Sequence, residues 1–338
     1  MPTLLLTDKD VRTLLPMPEC IEIMDAALRS VSAGESTLPL RTVIRLNGTP
    51  NAFGSMPAIY GSGPEASIGA KIITVFPGND ATPFDSHLGV VLLFDAAQGT
   101  LLAIADASSI TAIRTSAVSG LATRILSNPD SRELAVLGAG VLARPHIDAV
   151  RAVRPIERVR VWSRSRVRAE ELRTRLVATE DYSDKLEIVV CDSARDAVRN
   201  ADVVCTITSA RTPILEGGWL SPGTHVNAVG ASLSTARELD TYAVQRALLF
   251  VDRRESTLAE AGDFLIPRAE GAITDTHIRG ELGELSLRTI LGRTSRTDIT
   301  LFKSLGLAVE DVAALRHVYE RARETGAGMQ VELGGMRH

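Results

Sequence analysis

Apolar and polar positions change rhythm twice along this chain, and each change predicts a different kind of structure. Across residues 18–34, PECIEIMDAALRSVSAG, the apolar positions Ile21, Met24, Ala27, Leu28 and Val31 recur at helical spacing. Gly34 closes the run, so an amphipathic helix is expected there. From residue 38 to 102 the pattern becomes short apolar runs cut by Gly, Pro and Asn: RTVIRL, AFGSMPAIY, IGAKIITVF, GVVLLFD and LLAIAD. These are expected to be strands of one mainly antiparallel or mixed sheet. Helical spacing returns at 108–126, SSITAIRTSAVSGLATRIL, and SNPDS breaks it before Glu133.

Beyond that break, strand-like and helix-like segments mostly alternate, with apolar runs at LAVLG, VRVWS, LEIVVC, DVVCTIT, HVNAVG and ALLFVD. Runs rich in Val and Ile on both faces suit a sheet covered on both sides, hence an α/β fold with a doubly wound parallel sheet of Rossmann type. The segment from Ile299 onward, ITLFKSLGLAVEDVAALRHVYERARETG, predicts one more strand and a long final helix. Neither an internal repeat nor a low-complexity tract is visible.

Composition narrows the class of function. A chain of 338 residues is long for one compact core, and 45% hydrophobic with 23% charged residues is the balance of a globular protein. The net charge of -4 offers no footprint for nucleic acid, which needs clustered surplus Lys and Arg. The opening MPTLLLTDKD is too short in apolar residues for a signal core or a membrane span, so no membrane association is expected. Cys20, Cys191 and Cys205 have neither paired metal spacing nor an even disulfide count. They are expected to be buried thiols in a cytoplasmic protein. No HExxH, CxxC pair or acidic cluster occurs, so no metal is expected.

The strongest local motif follows the run LAVL. Gly138, Gly140 and Ala143 form G-x-G-x-x-A, opening a helix-like segment. In this pattern the first glycine permits a tight turn, the second lets the backbone approach a pyrophosphate, and the small third residue allows close packing. The loop Gly138, Ala139, Gly140, Val141 and Leu142 is therefore a candidate nucleotide site, with helix N-terminal amides facing the anion. At the end of the next strand stand Ser163, Arg164 and Ser165, with no acid before Glu170. Arginine there accommodates a 2'-phosphate where NAD sites have a carboxylate, so NADP(H) is preferred and NAD(H) remains possible. The GK[ST] of a P-loop is missing.

Taken in order, RTVIRL, GAKIITVFPGN, SHLGVVLLFDAAQGTLLAIADASSITAIRTSAVSGLATRIL, AVLGAGV, VWSRS, HVNAVGAS and LFKSLGLAVEDVAA resemble the ornithine cyclodeaminase/mu-crystallin family along nearly the whole chain. That resemblance implies a homodimer in which residues 1–125 and 308–338 form a substrate-binding and dimerisation domain. Residues 126–307 would then be an inserted Rossmann domain. It also implies reversible hydride transfer between a nicotinamide and an α-amino or α-imino acid. Thr115, Val229, Gly230 and Lys303 match cofactor contacts.

Arg41, Lys71 and Arg114 match the family's substrate-binding positions. A guanidinium grips a carboxylate with paired hydrogen bonds, and a lysine can also give a proton. An imino acid needs both, because hydride adds more easily to a protonated C=N. Lys71 sits inside the apolar run IGAKIITVF, where an unpaired charge would be costly. Lys71 and Arg114 are the expected catalytic residues, with Arg41, His87 and Ser232 completing the substrate contacts.

Two departures from the cyclodeaminase pattern bear on the reaction. Ser232 stands where those enzymes carry an aspartate, and Gly54 stands where a glutamate is expected two residues before Met56. Both carboxylates would serve the second amine of ornithine, so cyclodeamination is put in doubt and Ser232 resembles the ketimine reductase branch. Leu142 replaces a frequent Gln in the glycine loop. Asn79 is read as a turn residue and Asp240 as a helix cap. The expected activity is reduction of ketimines or cyclic imino acids to L-amino acids. Iminosuccinate reduction, alanine dehydrogenation, ornithine cyclodeamination and non-catalytic NADPH or small-ligand binding are the alternatives.

Overall fold

The computed structural model describes residues 2–179, 182 and 186–334; Met1 and the last four residues of the expected first domain lie outside them. In chain order the first stretch runs β1 (Thr3–Leu6), α1 (Asp8–Leu14), α2 (Met17–Ser32), β2 (Thr42–Arg45), β3 (Ala52–Tyr60), β4 (Ser67–Val75), β5 (His87–Asp95), β6 (Leu101–Asp106) and α3 (Ala107–Leu126). The middle stretch runs β7 (Glu133–Leu137), α4 (Ala143–Val153), β8 (Arg158–Trp162), α5 (Arg166–Val177), β9 (Glu187–Val190), α6 (Ala194–Val198), β10 (Val203–Thr206) and β11 (His225–Ala228). It continues with α7 (Thr241–Arg246), β12 (Leu248–Val251), α8 (Arg254–Glu260), α9 (Gly262–Ala269), β13 (Ile278–Glu281), α10 (Leu282–Ser286) and β14 (Thr300–Lys303). The chain closes with α11 (Ala308–Thr325) and β15 (Met329–Val331).

The contacts divide into two compact units, Met1–Thr115 with Gly306–His338, and Ser116–Leu305. The first break falls inside α3 rather than after it. The reason is polar bonding on the later turns of that helix: Ser116 and Ser119 meet the His146 ring at 2.8 and 3.1 Å, and Asn227 donates to Thr123 at 2.9 Å.

The first unit carries a seven-stranded mixed sheet in the order β15-β1-β6-β5-β4-β3-β2. From β6 to β2 every pairing is antiparallel, whereas β1 joins β6 in parallel. Helix α11 packs on β3, β4 and β5 and against α2. Side chains alternate across a strand, so one face of this sheet is covered and the other is open. Ala52, Met56 and Ala58 of β3 are buried, while Phe53 and Ile59 on its other face are 38% and 40% exposed. Ile68, Leu88 and Val90 continue that exposed apolar surface onto β4 and β5.

The second unit carries an eight-stranded sheet, β13-β12-β14-β11-β10-β7-β8-β9, with every pairing parallel. The chain winds outward from β7 through β8 to β9, then returns to lay β10 on the other side of β7. That reversal opens the crevice at the carboxyl ends of β7 and β10 where such sheets take their ligands. Apolar clusters cover both faces, one with Ala135, Val204, Leu249 and Phe264, the other with Val136, Ile147, Val161 and Leu172. Cys20 and Cys205 are buried as expected, but Cys191, just past the end of β9, is only half-buried. Asp240 caps α7 by accepting from the Ala243 amide at 2.7 Å, and the Asn79 amide holds its turn by donating to the Asp85 carbonyl at 2.9 Å. Among the described residues no helix is long and apolar enough to cross a membrane.

Candidate active site

In the first unit, Lys71 lies on the covered face of β4, opposite Met56 of β3 and Val91 of β5. It is 2% exposed, yet its ammonium is answered: Nζ lies 2.9 Å from Asp311 Oδ2 and donates to Thr111 Oγ1 at 3.4 Å. Arg114, one helical turn beyond Thr111 on α3, is 3% exposed. Its Nε donates to Asp311 Oδ1 at 2.8 Å and its Nη1 to Glu310 Oε2 at 2.7 Å. Both carboxylates sit in the first turn of α11, where the helix dipole favours negative charge. Two cations and two carboxylates thus form one buried cluster.

The charges tune one another. Burial, and then the Arg114 charge, lower the Lys71 ammonium to about 8 against the opposing pull of Asp311; Arg41 adds a smaller push in the same direction. Desolvation is the largest single influence on Asp311 and would raise it, but Arg114 and Lys71 together hold its carboxyl below the ordinary value. Arg114 is likewise desolvated, and the two carboxylates outweigh that effect and raise it. His87, at the start of β5, keeps surface in solvent while its Nδ1 meets Ser86 Oγ at 2.9 Å. Partial desolvation and then the Lys71 charge lower its imidazole. Arg41, just before β2, is half-buried. The first unit therefore gathers Arg41, Lys71, His87 and Arg114 in one electrostatic neighbourhood, with Thr115 buried next to Arg114 in the chain.

In the second unit, the glycine loop stands at the carboxyl end of β7. Gly138 has φ +129, and a Cβ there would lie 2.9 Å from Ile207 Cγ1 and 3.0 Å from the Ile207 carbonyl, so only glycine fits against the loop after β10. Ala139 is buried, Gly140 is exposed, and Val141 is 69% exposed. Leu142 opens α4 without a side-chain cap; Ala143 N donates to the Gly140 carbonyl at 3.0 Å and Pro145 has no N–H, which leaves Arg144 N of the first turn for an anion. Past β8, Ser163 is half-buried, Arg164 and Ser165 are exposed, and Ser165 caps α5 by accepting from the Arg168 amide. Arg164 has no ion-pair partner among the described residues, whereas Arg166 pairs with Asp192 and Glu170.

Val229 and Gly230 follow β11, and a second buried charge cluster fixes their loop. Glu238, fully buried, accepts from Gly230 N at 2.8 Å, Thr208 N at 2.6 Å and Thr206 Oγ1 at 2.9 Å. Burial, and then the Asp263 charge, raise its carboxyl. Lys303, 1% exposed, donates to the Ala231 carbonyl at 2.6 Å and pairs with Asp263 Oδ2 at 3.0 Å. Its ammonium is thus turned to the loop and to Asp263. Ser232 is exposed on the same loop.

The predicted substrate contacts are accordingly divided, with Ser232 in the second unit and the rest in the first. Sequence reasoning missed Glu310, Asp311, Glu238 and Asp263 as site residues. The signal for the first two was present: an acidic pair inside the apolar stretch LGLAVEDVAAL must be buried beside cations.

The sequence profile of the Ornithine cyclodeaminase/mu-crystallin family matches residues 1–326. The chain is 40% identical to the mouse ketimine reductase mu-crystallin over 300 residues, 88% of this chain and 90% of that protein. The Delta(1)-pyrroline-2-carboxylate reductase of Thermococcus litoralis, solved with NADH and L-proline, superposes with a TM-score of 0.91 at 37% identity, covering 97% of this chain and 100% of that one. An archaeal alanine dehydrogenase dimer with bound NAD gives a TM-score of 0.90 at 28% identity, covering 99% and 100%.

Proposed function

Because the chain belongs to the ornithine cyclodeaminase/mu-crystallin family, we propose that it is an NAD(P)H-dependent reductase of ketimines and cyclic imino acids, the pyrroline- or piperideine-carboxylates. The product is an L-amino acid. The observation that carries this reading is Lys71: a buried ammonium lowered to about 8, paired with Asp311 and flanked by Arg114.

When bound, the reduced nicotinamide supplies a hydride to the carbon of the C=N bond. Arg41 and Arg114 hold the substrate carboxylate, fixing which face of the imine is presented. Lys71 Nζ gives its proton to the imine nitrogen, and the N–H bonding pair stays on Lys71 as a neutral amine. A donor near neutrality suits that step, since an acid works best when its pKa lies close to the operating pH. The turn at Gly138 and the uncapped start of α4 support a pyrophosphate. Arg164, exposed and without an ion-pair partner among the described residues, supports a 2'-phosphate and hence NADPH.

Two copies of the chain associate in this proposal through the open apolar face of the mixed sheet. Phe53, Ile59, Ile68, Leu88 and Val90 support it, being a contiguous exposed patch of the kind that marks protein contacts. The free thiols of Cys20, Cys191 and Cys205 support a cytoplasmic protein in this scheme.

The test follows NADPH and NADH absorbance with Δ1-pyrroline-2-carboxylate, Δ1-piperideine-2-carboxylate, iminosuccinate, pyruvate with ammonia, and ornithine. Fastest oxidation is expected with a cyclic imine and NADPH. Cofactor binding without turnover of any imine would identify a carrier instead, and ammonia release from ornithine would restore cyclodeamination.

A further inference from the structure

We propose that Asp311 is a positioning residue for this reaction, holding Lys71 and Arg114 side by side on its two carboxylate oxygens so that one substrate meets both cations together. The inference rests on the imine reductase reading for its chemical use. It rests on geometry for its existence.

A lone carboxylate between two cations can be a filler of buried charge, but three features set Asp311 apart. Its oxygens are divided, Oδ1 to Arg114 Nε at 2.8 Å and Oδ2 to Lys71 Nζ at 2.9 Å, so neither cation can shift without disturbing the other. It is fully buried, as is its neighbour Glu310, which takes Arg114 Nη1. Gly306, two residues before α11, has φ +79, and a Cβ there would lie 2.5 Å from Arg114 Nη1. The backbone leading into α11 is therefore fitted to the guanidinium, and the helix presents both acids from its first turn. A hydrophobic anchor alone would require none of this.

The chemical consequence concerns the proton. Two adjacent cations in a desolvated place repel each other, and the ammonium is the one able to relieve this by releasing its proton, since a guanidinium does not. Asp311 opposes that release. Among the described residues, the charged groups that act on Lys71 are Asp311 from α11, Arg114 from α3 and Arg41 before β2; Lys71 in turn acts on His87 of β5, while Glu310 of α11 pairs with Arg114 and Cys20 of α2 feels both. Of these groups, Asp311 raises the Lys71 ammonium.

The direct test uses protein labelled with ¹³C in its lysines, Lys9, Lys71, Lys185 and Lys303, and follows the titration of each Cε signal. In Asp311→Asn the Lys71 midpoint is expected to fall by about one pH unit or more, the scale of one close opposite charge. Circular dichroism in the far and near ultraviolet should match that of the parent protein, reporting an intact fold. The alkaline limb of kcat/KM should move down by the same amount, and the KM for the imino acid should rise. Arg114→Met, which removes the repelling cation, should move the Lys71 midpoint up; it carries the test if Asp311→Asn does not fold. Midpoints unchanged in either folded variant would overturn the inference. Shifted midpoints in a protein that reduces no imine would overturn the reductase reading and leave the shared carboxylate standing.

Discussion

Each unit buries a cluster of opposite charges, and the two clusters are bonded in opposite styles. Around Lys303 the partners include backbone: the ammonium donates to the Ala231 carbonyl, Asp263 accepts from the Glu238 and Leu239 amides, and Glu238 accepts from the Thr208 and Gly230 amides. These bonds staple the loops after β10 and β11. Around Lys71 the partners are side chains, Asp311 and Thr111 for the ammonium, Glu310 and Asp311 for Arg114. A cation tied to backbone fixes a loop. A cation tied to other side chains keeps its charge available to a ligand that offers another carboxylate. A buried ion pair by itself is weak evidence of either role, so the contrast must be tested by taking each apart.

The largest effect is expected from Asp263→Ala, which leaves Lys303 buried without its counter-ion. Breaking such a pair costs about 3–5 kcal/mol, which urea unfolding would register. A loss below about 1 kcal/mol would remove the staple from the argument. Next, Lys71→Ala should lower kcat about 100-fold or more, the usual worth of a placed proton donor. Its nicotinamide affinity should change less than about twofold. If unfolding and cofactor binding suffer as much as turnover, the two clusters are alike after all.

Acidity separates the two units further. Lys71 must carry its proton to give one, so kcat/KM should hold at neutral pH and fall about tenfold per unit above its pKa of about 8. In the second unit, burial lowers His146 to about 4 and His225 to about 3. Both are neutral when folded and charge more easily when unfolded, so the unfolded chain binds the extra protons. Stability contributed by keeping them neutral is complete above pH 6.5 and should be lost progressively as pH falls toward 4. A urea midpoint that does not change between pH 7 and 4.5 would refute this. The smallest effect is expected from Arg164→Ala. It should lower kcat/KM for NADPH about tenfold, the scale of one charge-assisted hydrogen bond, and leave NADH almost unchanged; equal losses would argue for a merely solvated side chain.

Much of this architecture was legible because its signals are local. Periodicity marked α2 and α3, Val-rich runs marked the parallel strands, and Gly138 with Gly140 marked the tight turn after β7. Strands β1 and β15 pair Thr3 with Val331, and at four and three residues neither is long enough to show a period. Strand β13, IRGE, is half polar and equally silent. Lys71 and Arg114 could be picked out as costly charges, but their counter-ions lie about two hundred residues further on, at the start of a helix where exposed acids are commonplace. Asp263 lies 40 residues before Lys303, with β13 and α10 between them, and that shorter gap hid the pair as well. Local chemistry announces that a partner must exist, whereas only the folded chain says which one.

That separation orders events during synthesis. Strand β4 and the first turns of α3 leave the ribosome long before α11, and the whole doubly wound sheet is made in between. At translation rates of about 5–20 residues per second, the ammonium of Lys71 and the guanidinium of Arg114 must wait on the order of ten seconds or more for Glu310 and Asp311. Until then two cations have no carboxylate from α11 to bury against, and the mixed sheet lacks the helix that covers β3, β4 and β5. The nascent chain therefore has reason to complete its second unit first. It closes the Lys71 cluster last, so a polypeptide released early carries the doubly wound sheet without the carboxylates that answer Lys71 and Arg114.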